Sequence, residues 1–321
     1  MTDVPIPTPS GLAPDDPAWK KWAVAARLPF LVASLMPVIA ATAAAWRAQG
    51  SLHGGFAALT LLGMALIHAG ANMANDYFDY RSGADPTNRA ATPFSGGSKV
   101  IIEGMLSPRA VLVAALGCLG AGAACGIVLW LATPGHTVLI IGLLGVAIAW
   151  CYTGPPLRLA HHGLGELGIF LAFGVLPVLG TEWVQRGALS LEVGWIGVPA
   201  GLLVAAILVV NEFPDRAADA AAGKRHLVVR LGPYAPALYE LLLIGAYGAL
   251  AAALLMAWTP LYTLICVIVV PLSWRAARVV RRHHADVRAM LPAQSATIAQ
   301  QALFLLLLTG ATLADMALRA W

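Results

Sequence analysis

The chain has 321 residues, 59% of them hydrophobic and only 11% charged, a balance far from that of soluble domains. Its net charge is +4, and the basic residues behind it follow a membrane topology, which excludes a nucleic-acid binder. A membrane-crossing helix needs about 20 mostly apolar residues. Residues 1–27, with several prolines and Asp15, Asp16, Lys20 and Lys21, read as a cytoplasmic tail ending in an interfacial segment. Nine spans follow, near 28–46, 55–76, 110–132, 136–152, 164–183, 194–212, 234–256, 258–274 and 296–318. Residues 28–321 thus form one all-α transmembrane bundle. A charged tail precedes a full-length first span, so no cleavable signal peptide is expected.

With the N-terminus cytoplasmic, all of the 20 Lys and Arg residues except Arg47, Arg186 and Arg319 fall on the inner side. That is the positive-inside pattern. Cys118, Cys125, Cys151 and Cys266 lie in predicted spans without CxxC spacing and read as small core residues. The outer connections at 133–135 and 257–260 are short, whereas the inner loops after the second and sixth spans are long. Each long loop opens on an aspartate cluster, four spans apart on one membrane side, which suggests a weak four-helix repeat. Together the stretches 75–85 and 212–219 hold six of the 16 acidic residues.

A carboxylate beside hydrocarbon is costly and is usually kept for ions or charge relays. The first cluster continues a span that must be helical. There His68, Asn72, Asn75 or Asp76, and Asp79 follow steps of three and four and share one stripe. In the second, Asn211, Asp215 and Asp219 repeat that spacing, and Gly223-Lys224-Arg225 adds a turn and two cations. Hard divalent cations take oxygen ligands, and Mg²⁺ typically uses one or two carboxylates plus substrate phosphates. Two matched clusters therefore point to a metal site for a phosphorylated, lipid-like substrate; solvated helix ends are the plainer alternative. The segment Thr92 to Lys99, with Ser95, Gly96, Gly97 and Ser98, is a glycine-rich loop suited to phosphate oxygens, although it lacks Walker spacing. In the loop from Tyr152 to Glu166, Arg158 is either a phosphate contact or a topology-setting charge. Glu166 is either a helix N-terminal charge or a polar contact in the cavity. Adjacent His161 and His162 cannot share one stripe, which disfavours a histidine metal site. The run Arg275 to His284 reads as a headgroup-facing stripe.

Asn75-Asp76-Tyr-Phe-Asp79 and Asp215-x-x-x-Asp219-x-x-x-Gly223 resemble the two Asp-rich motifs of the UbiA superfamily of intramembrane prenyltransferases, and the likeness runs from Arg27 onward. Gly83-x-Asp85, Gly163-Leu-Gly-Glu166-Leu and the stretch 223–232 are most similar to the 1,4-dihydroxy-2-naphthoate polyprenyltransferases of menaquinone synthesis. The chain departs from the pattern at Asp85, which follows Asp79 by six residues rather than four and leaves its part in metal binding open. The resemblance implies two Mg²⁺ ions held by Asp76, Asp79, Asp215 and Asp219, the catalytic set, which bind a polyprenyl diphosphate. Lys99 and Lys224 would steady the leaving diphosphate. His68, Asn72, Asn75, Arg89, Tyr152, Arg158 and Asn211 complete the expected substrate-binding set, with His68, Tyr152 and Glu182 lining the pocket of an aromatic acceptor. In this branch the ring attacks at its carboxylate-bearing carbon and CO₂ is lost. It also implies a lipid-surrounded protein of the bacterial inner membrane with its site loops cytoplasmic. Another acceptor, such as 4-hydroxybenzoate or a lipid alcohol, is the nearest alternative. A secondary transporter is a further one, though it would place its carboxylates near the bilayer midplane.

Overall fold

A computed structural model describes residues 10–88, 92–94 and 97–319; Arg89, Ser95 and Gly96 therefore lie outside the described residues. Helices appear in the order α1 (Ala18–Ala25), α2 (Leu31–Gln49), α3 (Gly54–Ser82), α4 (Ala84–Thr87), α5 (Pro108–Ala132), α6 (Thr137–Cys151), α7 (Gly165–Phe170), α8 (Leu176–Arg186), α9 (Leu191–Gly194), α10 (Gly197–Ala221), α11 (Leu227–Leu231), α12 (Ala235–Leu255), α13 (Val270–His283) and α14 (Val287–Arg319). A π-turn, Leu171–Val175, joins α7 to α8 in one span, and a 3₁₀ run, Leu261–Val269, leads into α13. No strand occurs among the described residues.

Eight helical segments among the described residues are long and apolar enough to cross a membrane. The predicted span 136–152 is the exception, because α6 has 15 residues, roughly 22 Å of helix against a hydrocarbon core of about 30 Å. The protein is an integral, multi-pass membrane protein of helices alone. Charged segments expected as loops prolong the spans instead. Helix α3 runs through the first aspartate cluster to Ser82 and α10 through the second to Ala221. Likewise α13 carries the arginine run to His283.

The span Leu191–Ala221 occupies the centre, with 78% of its apolar window buried, against 17% for α3 and 22% for α5. Leu203, Ala206, Val209 and Val210 of α10 pack with Tyr239 and Leu243 of α12 and Phe304 and Leu305 of α14. Closest approach comes where α10 crosses the π-turn. A Cβ placed on Gly174 would come within 2.4 Å of the backbone of Gly197 and Gly201. Small residues permit such contact where no hydrophobic force acts between lipid-immersed helices, and the π-turn falls at that crossing.

Two chain reversals set up the site. Helix α3 ends at Gly83 and α10 is followed by Gly223, with φ of +84° and +78°, a region glycine enters without steric cost. The first reversal turns Asp85 back under α3. The second returns Lys224 towards it.

Candidate active site

The inner ends of α3 and α10 face each other across a cavity of about 480 Å³. His68, Asn72, Asn75 and Asp79 line it from α3, and Asn211, Glu212, Asp215 and Asp219 from α10. Away from this polar mouth the lining is apolar, reaching Leu59 on α3, Val138 on α6 and Val184 on α8. Twenty residues of α3 separate Asp79 from Leu59, so the cavity follows roughly 30 Å of helix, close to the hydrocarbon thickness.

Lys224 joins the two clusters. Its Nζ lies 3.0 Å from Asp79 Oδ2 and 3.8 Å from Asp219 Oδ1. Burial works against its charge, yet Asp79 and Asp219 outweigh that and hold its pKa well above the ordinary lysine value. Asn75 donates to the same Asp79 oxygen at 2.9 Å. The other oxygen, Oδ1, is buried with no hydrogen-bond partner. A buried carboxylate oxygen left unmet is expensive, and it belongs to a donor set of hard oxygens of the kind Mg²⁺ prefers. Asp79, with Asp215 and Asp219 across the cavity, fits a divalent cation on that ground.

Asp76 takes a different position from the stripe-mates expected of it. Asn75, not Asp76, faces the cavity; Asp76 is 2% exposed. It accepts from the Ser98 N–H at 3.2 and 3.3 Å and from the Ser98 hydroxyl, and Arg27 Nη2 lies 3.3 Å away. The loop that sequence suggested as a phosphate cradle thus turns its Ser98 N–H onto this carboxylate. Lys99 is similarly committed. Its Nζ lies 3.2 Å from Asp85 Oδ1 and 3.3 Å from the Asp85 carbonyl oxygen, buried and off the cavity lining. Asp85 itself lines the cavity. Burial and repulsion from Asp79 and Asp76 push its pKa up to about 7, against the pull of Lys99.

The remaining expected residues divide. His68 packs Nδ1 against the Ser34 hydroxyl and leaves Nε2 buried without a partner, with Phe173 edge-on to the ring. Tyr152 lines the cavity. The Asn72 amide donates to its own helix at His68 O, 2.9 Å. Asn211 Oδ1 accepts from Gln294 at 3.1 Å. Asp215 accepts from Asn88 at 2.7 Å. Arg158 stands outside the cavity, in a separate pocket with Tyr77, Phe78, Arg81 and His161. Glu182 is also off the lining: its carboxylate takes Arg186 at 2.7 Å and Ser190 at 2.6 Å instead. Of its two expected roles Glu166 takes the helix N-terminal one, in the first turn of α7 and off the cavity lining, with its Oε1 also accepting the Leu227 N–H at the start of α11, 2.6 Å away. Its neighbour His226 is fully buried between Glu212 and Asp219. Burial opposes charge on that ring, but the two carboxylates prevail and raise its pKa to about 10. Arg27, Asn88, Glu212 and His226 were missed as site residues. Only the acidity of Glu212 within the second cluster was a readable signal.

Residues 34–299 match the UbiA prenyltransferase family. The 1,4-dihydroxy-2-naphthoate octaprenyltransferase of Mycobacterium tuberculosis is 35% identical over 82% of this chain and 87% of its own length. Among solved structures, a digeranylgeranylglyceryl phosphate synthase superposes with a TM-score of 0.64 at 15% identity, covering 92% of this chain and 99% of that one. A UbiA homologue from Archaeoglobus fulgidus bound to GPP and Mg²⁺ gives 0.60 at 17% identity, covering 90% and 99%. Those likenesses carry the fold, and the family match over most of the chain carries the class: this protein belongs to the UbiA prenyltransferase family and is a membrane-embedded prenyltransferase.

Proposed function

We propose that this enzyme transfers a polyprenyl group from its diphosphate to 1,4-dihydroxy-2-naphthoate, with loss of CO₂, at the cytoplasmic side of a bacterial inner membrane. One observation carries the reading: two facing aspartate stripes, joined by Lys224, at the mouth of an apolar cavity that follows the membrane depth. The relative from M. tuberculosis, named for this acceptor, supports the acceptor class, and the structure of the A. fulgidus homologue with GPP and Mg²⁺ supports the metal and donor. The positive-inside distribution supports the orientation.

Asp79, Asp215 and Asp219, with Asp76 after release from Arg27 and Ser98, would hold two Mg²⁺ ions. When bound, these supply Lewis-acid stabilisation of charge on the departing diphosphate. Lys224 adds a fixed positive charge at the same place. The allylic C–O bond breaks and diphosphate leaves with the electron pair. The electron-rich ring attacks the allylic carbon at its own carboxylate-bearing position, and the C–CO₂⁻ bond then breaks to restore aromaticity. The apolar walls hold the prenyl chain and exclude the water that would quench the cation. His68, with Nε2 unmet beneath the polar mouth, orients the acceptor.

Purified protein with Mg²⁺, a polyprenyl diphosphate and an acceptor panel tests this by product mass spectrometry and trapped CO₂. CO₂ equal to prenylated naphthoate is expected. Product from 4-hydroxybenzoate or a lipid alcohol alone refutes the acceptor and leaves prenyl transfer intact.

A further inference from the structure

Running from Glu212 on the cavity wall of α10 away to residues off the lining is a second group of titratable side chains to which the prenyl-transfer reading gives no part. Glu166 at the start of α7, Glu212 on α10 and His226 at the entry to α11 bring two carboxylate oxygens and a ring nitrogen within 4.8 Å of one another. Among the described residues no other three such side chains converge in this way. They are 5%, 6% and 0% exposed. Glu166 Oε2, Glu212 Oε2 and both His226 nitrogens are buried without an aligned hydrogen bond. The ring lies between two carboxylates, with Nδ1 3.3 Å from Glu212 Oε2 and Nε2 3.2 Å from Asp219 Oδ2, which leaves Glu166 Oε2 as the atom with no partner of either kind. Buried polar atoms are nearly always satisfied, and unmet ones call for an explanation such as a bound ion. Charge points the same way: among the described residues Asp79, Asp219 and Glu212 pair with Lys224 and the imidazole, and Glu166 makes no ion pair.

We propose that Glu166, Glu212 and His226 form a structural site for a divalent transition-metal ion of the zinc type, separate from the ions that serve the diphosphate. A histidine nitrogen with carboxylate oxygens suits such an ion better than Mg²⁺. Tetrahedral ligands on one zinc at about 2.0–2.2 Å lie about 3.4 Å apart, so on binding the three atoms draw in by up to about 1.4 Å. Nδ1, which faces Glu212, is the ligating nitrogen. Nε2 faces Asp219, and a metal-bound histidine characteristically gives its other N–H to a carboxylate that fixes the ring. The ion ties α7, α10 and α11 at one point. It thereby holds residues 222–226, and with them Lys224, against the aspartates.

The test uses full-length protein purified in detergent from zinc-supplemented medium, desalted, and measured by metal mass spectrometry and zinc X-ray absorption. One zinc per chain with imidazole scattering is expected in the wild type and in Asp76→Asn/Asp215→Asn. Glu212→Gln and His226→Gln should retain at least about tenfold less. His226→Cys replaces one donor by another and should keep zinc with sulfur in its coordination shell, which preserves the test if His226→Gln fails to fold. Substoichiometric zinc in the wild type, zinc kept by Glu212→Gln or His226→Gln, or a His226→Cys spectrum without sulfur overturns the site. Loss of zinc in Asp76→Asn/Asp215→Asn assigns the ion to the diphosphate site and overturns it equally. Neither donor nor acceptor is present, so failure here is separate from failure of the prenyl-transfer reading.

Discussion

Replacing Lys224 by methionine keeps the length of the side chain and removes the cation that, among the described residues, joins the two aspartate stripes. In the wild type its ammonium satisfies Asp79 at 3.0 Å and faces Asp219 at 3.8 Å, with the side chain only 12% exposed. Deleting one partner of a buried ion pair costs about 3–5 kcal/mol, because the other charge stays buried and uncompensated. The slight exposure of Lys224 argues for the lower end. A loss of 3 kcal/mol corresponds to roughly a hundredfold shift in an equilibrium constant. Mg²⁺ competes with the ammonium for the same oxygens, so the variant should bind it more tightly. Thermal unfolding in detergent should therefore show Lys224→Met melting well below the wild type in EDTA. Excess Mg²⁺ should raise the variant far more than the wild type. In direct binding, the variant should also lose about 1.5–3 kcal/mol of affinity for a polyprenyl diphosphate, with acceptor affinity unchanged. Equal melting in EDTA together with equal Mg²⁺ shifts would show that Asp79 and Asp219 are not the metal-binding carboxylates.

Asp76→Ala and Asp215→Ala should each abolish turnover while the protein still elutes as a folded species; full activity in either one removes that residue from the metal set. Lys99→Ala should weaken donor binding far less than Lys224→Met, because its ammonium is engaged by Asp85 rather than facing the cavity; equal losses in a donor titration would contradict this. His68→Phe should raise the acceptor KM while Mg²⁺-dependent donor binding persists, and an unchanged acceptor KM would leave the ring a packing element held by Ser34. Gly201→Ala forces a Cβ to within 2.4 Å of Phe170 O, so overpacking should cost about 1–3 kcal/mol, measurable as a lower melting temperature.

Much of the fold and half of the site were legible in the chain itself. Apolar runs of membrane length force helices, because the hydrocarbon core offers backbone groups no other partner. Steps of three and four around Asp79 and Asp219 are a property of the helix alone, and both do reach the cavity. Span ends read from hydropathy, at 76, 212 and 274, fell short of the helix ends of α3, α10 and α13, since a helix ends where a reversal such as Gly83 or Gly223 stops it rather than where hydropathy falls. Only the tertiary structure decided which carboxylate meets which cation. A period of three to four leaves Asn75 and Asp76 equivalent, and the approach of Ser98 and Arg27 turns Asp76 off the stripe. Lys99 pairs with Asp85, and His226 with Glu212 and Asp219, through contacts set by how the chain doubles back, whereas Glu182 and Arg186 meet one turn apart on α8. Charge interactions in a buried, poorly screened place are governed by a few ångströms of separation. Local sequence spacing prescribes that separation within a helix and leaves it undetermined between helices.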